Sequence, residues 1–104
     1  VLPTRNARNG LLYTIEGSIN IKNRKWKYDF SEIDENGKSY VDKNYSKAYL
    51  RHLIMSNELL GKQIASIHNL AFFSNLIKQA REEIKKENYL KWKNKIVKKL
   101  ERRL

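Results

Sequence analysis

The sequence predicts an α+β chain in which a short antiparallel hairpin, extended to a three-stranded sheet, is followed by helices. Three observations carry this. Apolar residues alternate at a period of two between Leu11 and Phe30, with a glycine at the reversal. The stretch from Tyr45 to Ile84 has no proline and repeats its apolar residues at helical spacing. A further helical period runs from about Asn88 to Leu104. At 104 residues the chain is one domain or part of one.

In the opening VLPTRNARNG, Pro3 fixes its own φ and pushes Leu2 towards an extended conformation, so the segment reads as a strand end passing into a loop. Arg5 and Arg8 lie three apart with Asn6 between them. Guanidinium forks suit phosphates or base edges, and an asparagine amide offers a donor and an acceptor. On residue chemistry alone such a loop is by default a solvated connection. Leu11, Tyr13 and Ile15 then alternate, Glu16-Gly17 supplies a tight turn, and Ile19 and Ile21 alternate on the return. Trp26, Tyr28 and Phe30 continue the period as a third strand, a row read as core rather than as a base-stacking platform. Asp34, Glu35, Asn36 and Gly37 form a turn.

Two helices are expected between residues 45 and 84. Ala48, Leu50, Leu53 and Ile54 form the buried stripe of the first, while Tyr45, Tyr49 and His52 recur at i, i+4 and i+7 on another side. An aromatic side beside an apolar one calls for two packing partners, from within the chain or from a second subunit. Gly61 and Ser66 interrupt the pattern. From Ile67 it resumes as Leu70, Ala71, Phe73, Ile77, Ala80 and Ile84, the expected buried side of a long helix. The final helix carries Tyr89, Trp92, Ile96, Val97, Leu100 and Leu104 with lysines between. A docked helix, a membrane-surface helix and an RNA backbone contact are its three readings. Glu82, Glu83, Glu87 and Glu101 dilute the charge and disfavour the membrane, and a docked helix with exposed lysines on RNA combines the other two.

Twenty-two Lys and Arg against eleven Asp and Glu leave a net charge of +11, a balance suited to a polyanion, with nucleic acid first and solubility alone as the bland alternative. Residues 78–104 hold eleven of the basic residues and four Glu. The chain has no cysteine, which removes disulfides and thiolate ligands and favours a cytosolic origin. No apolar run approaches the roughly 20 residues that span a bilayer. Val1 is not a methionine and no signal-peptide pattern follows, so a processed chain or a piece of something longer is expected. Neither histidine has a nucleophile or paired carboxylate at a recognisable spacing, and no phosphate loop or metalloprotease helix is present.

The segments YSKAYLRHL, NELLGKQ and SIHNLAFF resemble the C-terminal region of bacterial-type tRNA-guanine transglycosylases, and VLPTRNARNG resembles their wobble-base recognition loop. The resemblance runs from Val1 to about Ile84. It implies a C-terminal part of a (β/α)8 TIM-barrel enzyme: the end of a barrel strand and the recognition loop in residues 1–10, an inserted small subdomain in 11–66, and C-terminal helices in 67–104. Eight parallel strands cannot fit in 104 residues, so the barrel itself would be missing. By the same resemblance Thr4, Arg5, Asn6, Ala7 and Arg8 are the tRNA-recognition positions, and Tyr45, Tyr49 and His52 match an aromatic patch at a homodimer interface. The family's nucleophilic aspartate precedes the residue matching Val1, so no catalytic residue is expected here and the isolated chain should be inactive.

Most bacterial members of that family hold zinc with a C-x-C-x2-C pattern and a later histidine. The matching positions here are Gly37, Ser39, Asp42 and His68. One imidazole, one hydroxyl and one carboxylate make a poor structural zinc site, so no zinc and no other cofactor is expected. A hydrogen bond from His68 to Asp42, or polar and apolar packing, is the expected substitute. The implied reaction of the full-length enzyme exchanges the wobble guanine of tRNA for 7-aminomethyl-7-deazaguanine, towards queuosine, in the cytoplasm and away from membranes. The alternatives are a free-standing basic RNA-binding or dimerisation module of the same ancestry, and a purely structural dimerisation domain.

Overall fold

The structure, a computed structural model, describes residues 6–104. The expectations for Thr4 and Arg5, and for an extended Leu2 before Pro3, lie outside the described residues. Residues 6–8 form a single helical turn, closed by the bonds Asn9 N to Asn6 O and Gly10 N to Ala7 O. Gly10 then takes φ +85°, a left-handed conformation that glycine adopts without steric cost, and turns the chain into the sheet.

Strands β1 (Leu11–Thr14) and β2 (Gly17–Asn20) pair antiparallel, with Leu12 opposite Ile19 and Thr14 opposite Gly17. The reversal is therefore at Ile15 and Glu16, one residue before the expected turn. Leu12, not Leu11, shares the buried face with Ile19. Gly17, at φ +148°, stands against the carbonyl oxygen of Arg102, 2.8 Å from where a β-carbon would lie.

The third strand expected from Trp26, Tyr28 and Phe30 does not form, and among the described residues the sheet has two strands. Residues Arg24–Trp26 instead make a 3-10 turn, and Tyr28 and Phe30 are each 75 % exposed, so that row is not core beyond Trp26. Short polar side chains take the backbone out of strand geometry: Asn20 Oδ1 accepts from Lys22 N at 3.1 Å, and Asp29 Oδ1 from Ser31 N at 3.0 Å. The segment then runs antiparallel to residues 45–48, through bonds such as Ala48 N to Asp29 O and Ile33 N to Tyr45 O.

Helix α1 (Tyr40–Asn44) starts at Ser39 and α2 (Lys47–Met55) at Ser46, whose hydroxyl accepts from Tyr49 N at 3.1 Å. The expected stripe of α2, Ala48, Leu50, Leu53 and Ile54, is buried. The chain breaks at Asn57, which takes φ +56°, and α3 (Leu59–Lys85) begins before Gly61. Gly61 is thus no helix breaker. It lies buried in the first turn of α3, where a β-carbon would sit 2.8 Å from Leu53 Cβ, so its missing side chain permits the close crossing of the two helices.

Helix α3 also passes through residue 66, so the expected segments 11–66 and 67–104 share one helix. Its buried residues are Gly61, Ile64, Ala65, His68 and Asn69, all in its first half. Leu70, Ile77 and Ile84, expected to be buried, are 52–58 % exposed. The helix overshoots the body of the molecule, whose longest extent is 46 Å against 22 Å in the other directions. Helix α4 (Tyr89–Leu100) folds back against α3 and buries Ile96. Beyond it, Ser18 N donates to Arg102 O at 2.8 Å and Leu104 N to Ser18 O at 2.8 Å. The place beside β2 is thus taken by residues 102–104 in a parallel bridge. The core contains Leu12, Ile19, Ile21, Ile33, Val41, Leu50 and Ile64.

Candidate nucleic-acid interface

Asp42 and His68 lie at the centre of the molecule, each 1 % exposed. The spacing along α3 turns His68 and Asn69 towards the sheet, while the turn at residues 34–37 and the start of α1 bring Asp42 over it. His68 Nε2 faces the carbonyl oxygen of Tyr13 at 2.8 Å and therefore donates to it. His68 Nδ1 lies 2.5 Å from Asp42 Oδ1. The other Asp42 oxygen accepts from Ser39 Oγ at 2.9 Å and from Ser39 N at 3.3 Å. Gly37 fits because a β-carbon there would run into the Asp42 carboxylate.

Burial alone would drive the His68 pKa down, but the hydrogen bond and charge of Asp42, with the Tyr13 carbonyl and Asp34, outweigh it and hold the pKa above the ordinary imidazole value. Burial would likewise raise Asp42, yet the His68 hydrogen bond and charge, aided by Ser39, bring it below the usual carboxylate range. Each partner thus favours the charged form of the other, the carboxylate of Asp42 and the imidazolium of His68. Asp34, its neighbour, is pushed up chiefly by burial, partly offset by the Asn36 amide.

The expected hydrogen bond between Asp42 and His68 is present. Gly37, Ser39, Asp42 and His68 do not fit a structural zinc ion, which takes four ligands rich in thiolate. Both His68 nitrogens and both Asp42 oxygens are already engaged, and Gly37 offers no ligand. Among the described residues no group of three or more His, Cys, Asp or Glu could hold a metal ion.

Asn69 was not anticipated from sequence. Its Oδ1 accepts from Tyr13 N at 3.1 Å and its Nδ2 donates to Leu11 O at 2.9 Å. With His68 it satisfies the outer edge of β1, as a neighbouring strand would. The available signal was a His-Asn pair set between the apolar Ile67 and Leu70-Ala71.

Of the expected recognition residues described, Asn6 is half-buried and its Nδ2 donates to Tyr13 Oη at 2.6 Å. Ala7 is fully buried in the core and anchors the turn. Arg8 is exposed on a groove of about 500 Å³ shared with Tyr40, Tyr45, Leu60 and Lys62. Tyr45 is extended and precedes α2, so the expected helical row begins only at Tyr49; the two rings still stack, with centroids 5.8 Å apart, and Tyr45 packs against the core while Tyr49 and His52 face outward. Phe30, Tyr40, Met55 and Leu59, each more than half exposed, extend the apolar character of α1, α2 and the start of α3. On α4, Lys91, Lys95 and Lys98 are exposed at i, i+4 and i+7, opposite the face that carries Ile96. No described helix is long and apolar enough to cross a membrane.

Together these features describe a basic α+β module, suited to a polyanionic partner, whose arginine-bearing turn is built onto a buried polar cluster. The chain belongs to the queuine tRNA-ribosyltransferase family, whose model matches residues 1–102. It is 48 % identical over 99 residues to the queuine tRNA-ribosyltransferase of Helicobacter pylori strain Shi470, covering 95 % of this chain and 27 % of that protein. To that of Treponema denticola it is 43 % identical over 104 residues, 100 % of this chain and 27 % of the other. To that of Bacillus pumilus it is 51 % identical over 87 residues, 84 % of this chain and 23 % of the other. The chain thus spans about a quarter of the length of these relatives.

Proposed function

We propose that this chain is the C-terminal, tRNA-reading and dimerising part of a cytoplasmic tRNA-guanine transglycosylase. The observation that carries the reading is the match over residues 1–102 to a family of tRNA-ribosyltransferases roughly four times as long. In the full-length protein, an aspartate outside this sequence attacks the anomeric carbon of the wobble guanosine and displaces guanine, leaving a covalent enzyme–RNA intermediate. A second acidic group moves the protons, and 7-aminomethyl-7-deazaguanine takes the vacated place. One glycosidic bond is exchanged for another of similar energy, so no redox cofactor enters.

The work of this chain is binding. Residues 4–8 read the wobble nucleotide, with Arg5 and Arg8 on phosphate or base edges and Asn6 on a base edge. The lysine face of α4 follows the RNA backbone, an assignment supported by the outward turn of Lys91, Lys95 and Lys98. The aromatic patch around Tyr45, Tyr49 and His52 forms the homodimer contact, supported by the outward-facing Tyr49 and His52 and by the exposed apolar Phe30, Tyr40 and Met55.

Intact mass of the product of its own gene is the first test. A mass three to four times 12.4 kDa is expected, together with incorporation of 7-aminomethyl-7-deazaguanine into tRNA by that product and none by this chain alone. A product of 12.4 kDa that binds RNA by itself would overturn the enzyme reading in favour of a free-standing module.

A further inference from the structure

Tyr13 is held from every side. Its N–H donates to Asn69 Oδ1 at 3.1 Å, and its carbonyl oxygen accepts from His68 Nε2 at 2.8 Å. Its ring meets Phe73 edge-on, with centroids 5.2 Å apart, and lies beside Phe72 at 6.5 Å. From this fixed base the phenol reaches back across seven residues to Asn6 Nδ2, at 2.6 Å. A helical turn of three residues fixes little by itself, and the terminal torsion of an asparagine side chain has broad, weak preferences. An amide that must read a base gains from being set in its plane beforehand, because the ordering cost is then not incurred on binding.

We propose that Tyr13 is the positioning residue of the recognition turn. Its hydroxyl occupies one N–H of the Asn6 amide and fixes the plane of the group. The second N–H and the carbonyl oxygen are thereby oriented for a base edge. Its backbone, bonded to His68 and Asn69, ties that orientation to the buried Asp42–His68 pair. Fidelity at the wobble nucleotide is thus linked to the polar cluster in the middle of the molecule. The inference rests on the reading of residues 4–8 as a wobble-recognition loop.

The test is a double-mutant cycle. Binding of the chain to an anticodon stem-loop with guanine at the wobble position is compared with binding to the same RNA carrying adenine there. The proteins are the unsubstituted chain, Tyr13→Phe, Asn6→Ala and the double variant. Each single variant is expected to lose about three- to tenfold of the preference for guanine, the share of one neutral hydrogen bond. The double variant is expected to lose no more than either single one. Additive losses, or full preference retained in Tyr13→Phe, would overturn the proposal and leave the recognition role of the turn standing. No preference in the unsubstituted chain would overturn that role, and the proposal with it. Should Tyr13→Phe fail to fold, an Overhauser contact between the Asn6 side-chain amide and the Tyr13 ring decides: its presence is expected, and its absence overturns the proposal.

Discussion

An aspartate and a histidine buried at 1 % exposure are tolerable only as partners. Asp42→Ala leaves the His68 ring in the core without the partner of its Nδ1, whether it keeps its charge or loses its proton, and a loss of about 3–5 kcal/mol is expected in urea unfolding. The pH dependence follows from the directions of the two shifts. His68 is raised, so its contribution is complete below the ordinary imidazole value of 6.5 and is lost as pH rises through its folded pKa. Asp42 is lowered, so its contribution is present above the ordinary 3.8 and is lost as pH falls through its folded pKa. Urea midpoints measured across pH should be highest between those two ordinary values and fall on either side. A profile in Asp42→Asn with the same alkaline decline would assign that decline to another group. The sequence held part of this in view, because the family resemblance sets Ser39, Asp42 and His68 at positions that correspond to zinc ligands, and their chemistry favoured a hydrogen bond instead. Asn69 did not stand out: an asparagine on a helix is commonplace, and only the position of β1 shows which backbone groups it serves.

At the level of elements, α2 was legible and α3 was not. Four apolar residues at helical spacing, a serine cap and a short span leave α2 one way to pack. In α3, Leu70, Ile77 and Ile84 recur every seventh residue and yet stand more than half exposed. Periodicity announces a face in need of cover, and it is silent on whether the same stretch of chain supplies that cover. The aromatic alternation at Trp26, Tyr28 and Phe30 misled for a related reason, since asparagine and aspartate nearby bent the backbone before a ladder could form. Helix α4 offers the sharpest measurement. Its three outward lysines lie roughly 6 and 4.5 Å apart along the axis. Replacing Lys91, Lys95 and Lys98 together by glutamine should weaken RNA binding and flatten the dependence of log affinity on log salt by roughly two units, from about 0.7–0.9 for each phosphate that is no longer neutralised. An unchanged slope in equilibrium titrations would take the RNA off this face. Stability should change little, because none of the three is buried.

Across the whole molecule, the hairpin is enclosed on both flanks, by the side chains of His68 and Asn69 along β1 and by residues 102–104 along β2. Deleting residues 102–104 removes two backbone bonds to Ser18 and the approach of Arg102 to Glu16. A stability loss of about 1–3 kcal/mol is expected. Light scattering should also rise with concentration, since an unpaired strand edge recruits other strands. The closure along β2 has a consequence in time. Ser18 and Arg102 are 84 positions apart, and translation adds about 5–20 residues each second. For roughly 4–17 s after its own synthesis β2 waits for the segment that will lie beside it. A nascent chain in that interval carries a half-dressed sheet, which makes this stage of its birth, more than its finished form, the moment when a chaperone or a neighbouring nascent chain finds something to hold.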